Sequence, residues 1–598
     1  GPVDLRPRSA LATLALGLAV ACGGADDDRP GPPPTPDCPT SATEGLSVDV
    51  SSVFAPGDCL RDAYTGALAE VAEDGTALFA PGDEGVVLIE RSTDPDRQPA
   101  FTWDNATVYF VMTDRFDNGD PTNDAAYGRD FTGMPDTGTF HGGDWAGLTR
   151  RLDYIADLGV NALWITSPVE QIHGYVGGGG GNFPHFAYAG YWALDFTRTD
   201  ANFGTEAELR ALVDEAHARG IRIVLDVVMN HPGYASLPEI ETYLPEALVQ
   251  DDWRTWRPGP EENWFSYNEL FIDFETSAWA DWWGPDWVRA ELPGGYQPYG
   301  RAPLQNGLAF LPDFRTESDR AVDLPPLLAA KPDSRVTALP DATVRDHLVA
   351  WLTDWVREYG IDGFRCDTAK HVELSAWTEL KAAGVAALAE WKASHPDQAL
   401  DDLPFWMTAE DFGYSVMNDG RDDGGYFASG FDSKINFDFR GAAAGASRNF
   451  ESLETIYRAY AETLNTDPGV GALTYISSHD HDRLFFDTVG RDPARQADAG
   501  TALLLAPGGV QIFYGDESGR TTADGNGDNT AGTRSDMNWD DIDQGLLEHW
   551  RTLGRFRERH PAVGGGTHTL VQNDGEAYVF TRTRGDDAVV VALVPPGE

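Results

Sequence analysis

The chain has 598 residues, and its 96 acidic and 44 basic residues give it a formal net charge of −52 at pH 7. A negative surplus of that size repels polyanions, so it excludes nucleic acids and anionic membrane surfaces as direct partners. Because acids are so abundant, a single Asp or Glu says little about function unless its position is unusual for a solvated surface residue.

The N-terminal segment predicts export. Arg6 and Arg8 precede an apolar stretch at residues 10–21, which is too short to span a bilayer but has the length of a signal-peptide core. Cys22 follows Leu18-Ala-Val-Ala, an arrangement that resembles a lipobox with Cys22 acylated after cleavage. We therefore predict a signal peptide with lipobox at residues 1–22 and an acidic, Pro-rich tether at residues 23–37. The alternative is a signal peptide without lipid.

The location that follows is the bacterial cell envelope, either lipid-anchored or periplasmic, or the medium if the protein is secreted. We expect membrane contact only through a lipid anchor at Cys22, and we expect a monomer. In an exported protein Cys38 and Cys59 are available to form a disulfide, whereas Cys366 lies in an apolar segment and is expected to be a packing residue.

Residues 38–100 predict a small β-domain, because short alternating segments such as residues 76–79 and 85–89 occur there. Beyond it, apolar runs of strand length alternate with segments of helical period, among them residues 206–219 and 345–359. The runs with strand character are residues 108–112, 162–166, 221–226, 361–366, 405–409, 433–437, 472–477 and 510–514. Eight strands alternating with helices predict an α/β fold, a (β/α)₈ TIM barrel, over residues 101–561.

Two further regions do not fit the barrel repeat. The gap after the third strand is too long for one helix and is rich in Trp, Pro and Gly, so we predict an inserted subdomain at residues 232–341 that overhangs one end of the barrel. Residues 562–598 return to a β pattern, and we expect a short, truncated C-terminal β region there.

Four acids stand at the ends of predicted strands: Asp226, Asp367, Glu410 and Asp480. In a barrel of parallel strands these positions lie on one rim, where the active sites of such folds are found. A carboxylate at the end of a strand buried on both faces is costly to desolvate unless partners or a function compensate. The four acids therefore predict a catalytic site.

The same segments identify a family. Residues 362–371, 511–518 and 534–539 are similar to the strand ends of the α-amylase superfamily of glycoside hydrolases, glycoside hydrolase family 13, and the chain looks most like the bacterial periplasmic α-amylases from about residue 103 to about residue 559. The resemblance implies a retaining, endo-acting α-glucan hydrolase that cleaves α-1,4 bonds of starch and maltodextrins through a glycosyl-Asp intermediate.

Chemistry assigns roles to the acids. Arg365 and Asp367 are two apart on a strand and point to the same side, so the guanidinium would keep Asp367 ionised as the nucleophile. Glu410 ends an apolar strand, where partial burial would raise its pKa toward that of a proton donor, and it is expected to be the acid/base. Asp480 matches the family's third carboxylate, which favours the oxocarbenium-like transition state. The paired His-Asp dipeptides leave Asp482 as the alternative.

Further residues match family contacts with the sugar. Tyr191 resembles the stacking tyrosine at the cleaved sugar. The family usually carries His where this chain has Ala189, which removes one expected hydrogen bond. The other residues expected to bind substrate are Asp226, His231, Arg365, Lys370, His371 and His479.

Calcium is the cofactor that the resemblance implies. A turn rich in hard oxygen ligands, together with Gly142 and Asp144, resembles a site of cyclodextrin glucanotransferases. The turn contributes Asn118, Asp120, Asn123 and Asp124. A second site would use Asn230, Asp313 and the carbonyl of His371, and a weaker pattern at residues 524–529 suggests a third.

Two classes of function remain open at this point. The first is the hydrolase, with a transglycosylase or a maltogenic or α-1,6-acting relative as variants. The second is a non-catalytic glucan-binding relative, which would have lost at least one of Asp367, Glu410 and Asp480. All three are present. The segments around Asp313 and Lys370 resemble the α-1,4-acting enzymes.

Overall fold

The computed structural model describes residues 38–276, 279, 282–289, 304–305, 307–309, 311–421, 424–466 and 469–595. The predicted signal peptide, Cys22 and the tether lie outside these residues, as does part of the predicted inserted subdomain. Within the described part of the chain, no helix combines the length and apolar character needed to cross a membrane.

The strands fall into an N-terminal group, a group that alternates with helices, and a C-terminal group. In chain order they are β1 (Leu46–Asp49), β2 (Cys59–Asp62), β3 (Leu68–Glu70), β4 (Thr76–Phe79), β5 (Val86–Arg91), β6 (Thr107–Val111), β7 (Ala162–Ile165), β8 (Val169–Gln171), β9 (Tyr175–Gly178), β10 (Phe183–Phe186), β11 (Ala193–Thr199), β12 (Arg222–Val227), β13 (Val288–Arg289), β14 (Asp313–Phe314), β15 (Gly363–Cys366), β16 (Trp406–Ala409), β17 (Ser433–Asn436), β18 (Ala472–Thr474), β19 (Gly509–Phe513), β20 (Thr567–Asn573), β21 (Tyr578–Arg584) and β22 (Asp587–Leu593).

The helices lie mainly between the strands of the second group. In chain order they are α1 (Thr113–Phe116), α2 (Trp145–Arg150), α3 (Leu152–Ala156), α4 (Glu206–Ala218), α5 (Leu237–Tyr243), α6 (Ser266–Phe271), α7 (Pro326–Ala330), α8 (Val344–Tyr359), α9 (Leu374–Ser394), α10 (Val416–Asp419), α11 (Tyr426–Ser429), α12 (Asp438–Ala446), α13 (Phe450–Leu464), α14 (Phe485–Thr488), α15 (Pro493–Leu504), α16 (Gln544–Arg559) and α17 (Pro561–Gly565).

Eight parallel strands close into a barrel in the order β12-β15-β16-β17-β18-β19-β6-β7. Each predicted strand overlaps one of them, so the predicted (β/α)₈ barrel is confirmed. The helices begin and end where the sequence signals it. For example, Thr343 and Asp346 form a capping box at the start of α8, and Gly360, with φ 75°, ends it.

The inserted region leaves the barrel after β12. It contains α5, α6, β13, β14 and α7 before α8 resumes the barrel repeat. Part of it packs around its own apolar cluster, which includes Leu237, Ile240, Trp253 and Phe271. The short β13–β14 pair instead brings Phe314 against the main core. The insertion is therefore anchored to the barrel and also has a core of its own.

The N-terminal and C-terminal β regions share one sheet, which the sequence analysis did not predict. The six strands run in the order β20-β21-β22-β5-β2-β3, and β5 pairs antiparallel with β22. Side chains alternate between the two faces. Val87 and Ile89 join a cluster with β1 and β4, whereas Val86 and Leu88 join the main core. N-terminal strands thus extend the sheet that the C-terminal residues form.

A disulfide joins Cys38 to Cys59 at the start of β2. The sequence prediction is confirmed. Cys366 is free and buried on β15, as expected for a packing residue. Burial raises the pKa of its thiol well above the usual value, which keeps it in the unreactive thiol form.

Candidate active site

Three predicted carboxylates meet around one guanidinium at the carboxyl end of the barrel. Arg365 on β15 donates from Nη1 to Asp226 Oδ1 at 2.9 Å and to Asp367 Oδ1 at 2.8 Å, and from Nη2 to Glu410 Oε2 at 3.0 Å. All four side chains are nearly inaccessible to solvent. The parallel register, which pairs Asp226 with Arg365 and Cys366 with Ala409, places these residues at one level of the barrel.

Three carboxylates share one positive charge, and the pKa values of Asp226 and Glu410 are raised. Burial raises the pKa of Asp226 to about 6, with the neighbouring Asp367 adding to the effect. Burial likewise raises the pKa of Glu410 well above its usual value, although Arg365 opposes the shift, and Asp367 and Asp480 raise it further. Glu410 is therefore protonated where an exposed glutamate would be ionised.

The backbone beside Asp367 is strained. Thr368 has φ 48°, in the left-handed region that a β-branched residue rarely adopts. In this conformation its N–H donates to Glu410 Oε2 at 3.0 Å. The turn after β15 thus fixes the oxygen of Glu410 relative to Asp367.

Asp480 lies at the same rim, next to His479. Its Oδ1 lies 3.4 Å from Arg534 Nη2, and its Oδ2 lies 3.4 Å from His479 Nε2. Burial acts to raise the pKa of Asp480, but the neighbouring basic groups lower it overall. Since burial lowers the pKa of His479 to about 3, His479 is neutral near pH 7, and Arg534 and Arg365 supply the positive charge.

Asp482, the alternative to Asp480, lies outside this cluster. Its side chain is 70% exposed and its carboxylate lies 3.6 Å from Arg440. Burial therefore distinguishes the two aspartates and favours Asp480, the residue that the sequence analysis preferred.

Tyr191 connects Asp226 to His479. Its hydroxyl donates to Asp226 Oδ2 at 2.6 Å and lies 2.6 Å from His479 Nε2, and its ring stacks on the His479 ring. His231 lies behind it, with Nε2 at 3.2 Å from the Tyr191 carbonyl. Because burial lowers the pKa of His231 to about 4, this imidazole is neutral and positions the tyrosine without adding charge.

Two predicted binding residues lie further out. Lys370 is exposed at the rim, with Nζ at 3.4 Å from the carbonyl of Phe412. His371 ends the short helical turn Ala369–His371 beside it. These positions suit contacts with a bound chain outside the Arg365 cluster.

Sequence reasoning missed two residues of the site. Trp164 on β7 donates from Nε1 to Asp226 Oδ2 at 3.2 Å, and the Arg365 guanidinium lies 5.0 Å from its ring centroid. Arg534, within a motif used for the family resemblance, contacts Asp480. Trp164 could have been predicted, because it occupies an inward-facing position on a predicted barrel strand. Arg534 could not, because only the folded chain brings it to Asp480.

A cavity of about 280 Å³ opens beside Tyr191. Its wall includes Ala189, His185 and Arg534. Burial lowers the pKa of His185 to about 3, so this part of the wall presents a neutral imidazole. The cavity provides polar groups and aromatic surface next to the carboxylates, as a sugar site needs.

The first predicted calcium site has the properties of a cation site. The side-chain oxygens Oδ1 of Asn118 and Asn123 are buried and have no hydrogen-bond donor. Burial raises the pKa of Asp124, and the nearby Asp144 raises it further. Gly142, at φ 89°, leaves no room for a side chain, because a Cβ would lie 2.4 Å from Asn118 Nδ2. Unpaired oxygens and unneutralised carboxylates together fit a hard cation such as calcium.

Asp120 stabilises the turn through one carboxylate oxygen. Its Oδ1 accepts from the backbone N–H and the hydroxyl of Thr122, and its carbonyl accepts from the N–H of Asn123 at 3.2 Å. This leaves Oδ2 of Asp120 for a cation. Within the described residues no group of three or more His, Cys, Asp or Glu side chains forms a metal site. The predicted sites depend also on amide and backbone oxygens.

At the second predicted site the amide of Asn230 has two orientations. One amide atom lies 3.2 Å from both the His371 carbonyl and Asp313 Oδ1. With oxygen there, three oxygens face one another as around a cation; with nitrogen there, the amide donates to both. Arg289 already donates to Asp313 Oδ2 at 2.7 Å. Burial nevertheless raises the pKa of Asp313 to about 8, although Arg289 opposes the shift.

Comparison with known proteins places the site in a family context. The model of the α-amylase catalytic domain matches residues 110–283 and 338–546. A periplasmic α-amylase of Escherichia coli K12 is 47% identical over 572 residues, covering 93% of this chain and 82% of that protein. A cyclomaltodextrin glucanotransferase of Geobacillus stearothermophilus is 27% identical over 535 residues, covering 87% of this chain and 63% of that protein.

Solved structures agree with the fold. An Anoxybacillus α-amylase aligns with a TM-score of 0.57 at 23% identity, covering 83% of this chain and 88% of that one. At this identity the likeness shows the fold alone. All three predicted catalytic acids lie within the residues that the family model matches.

Proposed function

The chain belongs to the α-amylase family of glycoside hydrolases, and we propose that Asp367 and Glu410 carry out its reaction with retention of anomeric configuration. The enzyme is an α-glucan hydrolase that acts on starch and maltodextrins. The observation that carries the proposed roles is the Arg365 guanidinium, which contacts Asp367 and Glu410 through separate nitrogens.

The shared guanidinium supports retention over inversion. Retaining enzymes need their two carboxyls about 5 Å apart, whereas inverting enzymes leave about 6.5–9.5 Å for a water molecule. Arg365 holds Asp367 and Glu410 through its two terminal nitrogens, and the strands that precede these acids are neighbours in the barrel, which suits the shorter separation. The pair therefore supports a covalent intermediate.

The two carboxyls have different roles in the reaction, one as nucleophile and the other as proton donor. Asp367 attacks the anomeric carbon while protonated Glu410 gives its proton to the glycosidic oxygen, so that the C1–O bond breaks and a C1–Asp367 bond forms. Glu410, now ionised, takes a proton from water, whose oxygen attacks C1 and releases Asp367. Asp480, kept ionised by the neighbouring arginines, is placed to stabilise positive charge that develops on the sugar ring.

We propose α-1,4 bonds in the interior of the chain as the target. The segments around Asp313 and Lys370, similar to those of α-1,4-acting enzymes, support this specificity. The alternative is transglycosylation, in which a sugar hydroxyl replaces water in the second step, or the action of a maltogenic or α-1,6-acting relative.

Product analysis on soluble starch, pullulan and maltoheptaose tests the specificity. We expect a rapid fall in starch viscosity, short maltodextrins from maltoheptaose and no cleavage of pullulan. Release of a single short product from chain ends, cleavage of pullulan, or products longer than the substrate would instead identify the exo-acting, α-1,6-acting or transferring alternative.

We also propose that the enzyme binds calcium through Asn118, Asp120, Asn123, Asp124, Asp144 and the carbonyl of Gly142. The unpaired buried oxygens described above support this set. A calcium ion there would neutralise buried carboxylates and stabilise the loop that precedes α2. The site of Asn230, Asp313 and the His371 carbonyl is the second candidate.

Export is the location we propose, because the Escherichia coli relative is periplasmic and the Cys38–Cys59 disulfide suits an oxidising compartment. Lipid anchoring at Cys22 stays a prediction. Mass spectrometry of the membrane fraction would detect an acylated Cys22.

A further inference from the structure

A second and larger cavity, of about 690 Å³, lies outside the catalytic cleft. It is bordered by the β9–β10 hairpin, the residues around Tyr127, and the inserted region. Six of its 16 lining residues are aromatic, compared with 11% of the chain. These six are Tyr127, Tyr175, Phe186, Tyr243, Trp253 and Trp264. Its volume is in the range of cavities that bind small molecules, about 300–1,000 Å³.

The β9–β10 hairpin separates this cavity from the cleft. Tyr175 pairs with Phe186, and both side chains line the larger cavity. The next pair, Val176 and His185, lines the smaller cavity beside Tyr191. Successive side chains of a strand point to opposite faces, so the hairpin lies between the two cavities, although Phe186 borders both. Among the described residues, the other residues that line the larger cavity do not line the smaller one, so the larger cavity is distinct from the one beside Tyr191.

The aromatic rings of the cavity are held in place and remain partly accessible. Tyr127 is 38% exposed and stacks on the His173 ring, with centroids 4.1 Å apart. Trp264 is partly exposed and meets the Tyr175 ring edge-on at 5.6 Å. Rings fixed in this way present flat apolar surface without losing conformational entropy on binding.

The charged groups of the cavity balance one another. Asp130 and Glu239 provide two negative charges, and Arg254 and Arg257 provide two positive charges. Glu239 is buried and accepts from the backbone N–H of His173 at 2.6 Å, so its orientation is fixed. In a chain with a net charge of −52, a neutral cavity does not select ions. Its hydrogen-bonding groups instead suit a neutral ligand rich in hydroxyls.

We propose that this cavity binds an additional α-glucan chain. Rigid aromatic faces match the C–H faces of pyranose rings, and the balanced polar groups match sugar hydroxyls. The inference rests on the proposed function for the choice of α-glucan among neutral carbohydrates. A polymer held here lies one hairpin away from Tyr191, which raises the effective concentration of polymer at the cleft.

Calorimetric titration with maltotetraose tests the proposal in an Asp367→Asn background, which prevents turnover. We expect two molecules bound per chain. Adding Tyr127→Ala and Trp264→Ala should leave one. Arg254→Ala, at a side chain that is 55% exposed and contacts the Trp253 ring, tests the same cavity and should weaken only the additional site, several-fold. Leu570→Ala, at an exposed apolar residue on β20, is the control and should leave both sites intact.

Activity supplies the second readout. In the otherwise wild-type enzyme, Tyr127→Ala/Trp264→Ala and Arg254→Ala should each lower the rate on starch granules several-fold and leave kcat/KM for maltotetraose unchanged. A single bound molecule in every variant, or two whose binding the cavity variants do not alter, would overturn the inference alone. Absence of both maltotetraose binding and cleavage would overturn the proposed function as well.

Discussion

Two buried clusters of charged side chains differ in charge balance. Around Arg365, three carboxylates (Asp226, Asp367 and Glu410) share one guanidinium. Around His560, which we call the His560 cluster, Glu90 and Asp587 each lie 2.7 Å from an imidazole nitrogen. Glu90 is also paired with Arg61 at 2.5 Å and with Arg559 at 3.1 Å.

The pKa values follow this difference. In the Arg365 cluster burial prevails, and the pKa values of Asp226 and Glu410 rise. In the His560 cluster burial acts to raise the pKa values of Glu90 and Asp587, but hydrogen bonds and charge from His560 lower them overall. A cluster with surplus charge keeps a proton available for chemistry, whereas a balanced cluster only holds elements together. The His560 cluster joins the end of α16 to β5 and β22.

The largest expected effect is the loss of catalysis when an acid of the Arg365 cluster is replaced. Asp367→Asn and Glu410→Gln should each lower kcat on the order of 10³-fold or more, because each removes a group that acts in the transition state. Steady-state kinetics and circular dichroism measure activity and folding together. Asp482→Asn, at the exposed neighbour of Asp480, is the matched control and should keep full activity. Near wild-type turnover in either catalytic variant would exclude the assigned roles.

The second effect is on stability. His560→Leu should lower the free energy of unfolding by about 3–5 kcal/mol, because it leaves two buried carboxylates without their shared partner. Denaturant titration measures the loss, and kcat below the unfolding transition should stay unchanged. A loss of kcat without a loss of stability would contradict the proposal that the His560 cluster stabilises the fold and takes no part in catalysis.

The calcium site provides a third test of charge balance, because a bound cation would neutralise a cluster whose negative charge is otherwise uncompensated. Chelation should lower the melting temperature. Where calcium was present at 100 times its Kd, the free energy of unfolding should fall by up to about 2.7 kcal/mol. Asp144→Ala should lower the stability and abolish the response to calcium, and Asp120→Ala should lower the stability more than kcat. Thermal melting with and without calcium provides the measurement. A melting temperature that does not respond to calcium, together with no calcium in elemental analysis, would show that these residues only form the turn.

The smallest effect concerns pH. Burial acts to lower the pKa of His560, but its hydrogen bonds to Asp587 and Glu90 raise it overall. Its contribution to stability is therefore complete below about pH 6.5, the unfolded value, and is lost as pH rises through the folded pKa. The lowered pKa values of Glu90 and Asp587 contribute above about pH 4.5 and are lost at lower pH. Melting temperature against pH should thus show a maximum that flattens in His560→Gln; equal profiles would exclude this linkage.

Much of the barrel was predictable, because strands buried on both faces of a parallel sheet appear as apolar runs in the sequence. The catalytic acids were predictable for a related reason, since a carboxylate directly after such a run is unusual. The Cys38–Cys59 disulfide needed only the export signal and the cysteine count. These predictions rest on local patterns.

What the sequence did not reveal depends on contacts between distant segments. The pairing of β5 with β22 joins residues about 500 apart in the chain, and no local pattern specifies that partner. The same holds for the His560 cluster, for Arg534 beside Asp480, and for the larger cavity. The preference for Asp480 over Asp482 was made from the sequence, and the exposure of Asp482 adds to it.

The central claim is that Asp367 and Glu410 form a retaining pair. Proton NMR of the first product released from maltoheptaose tests it most directly, before mutarotation mixes the anomers. The account predicts the α-anomer as the initial product, since two displacements at C1 restore the configuration of the substrate. Initial release of the β-anomer would show a single displacement by water and would contradict the covalent intermediate on Asp367.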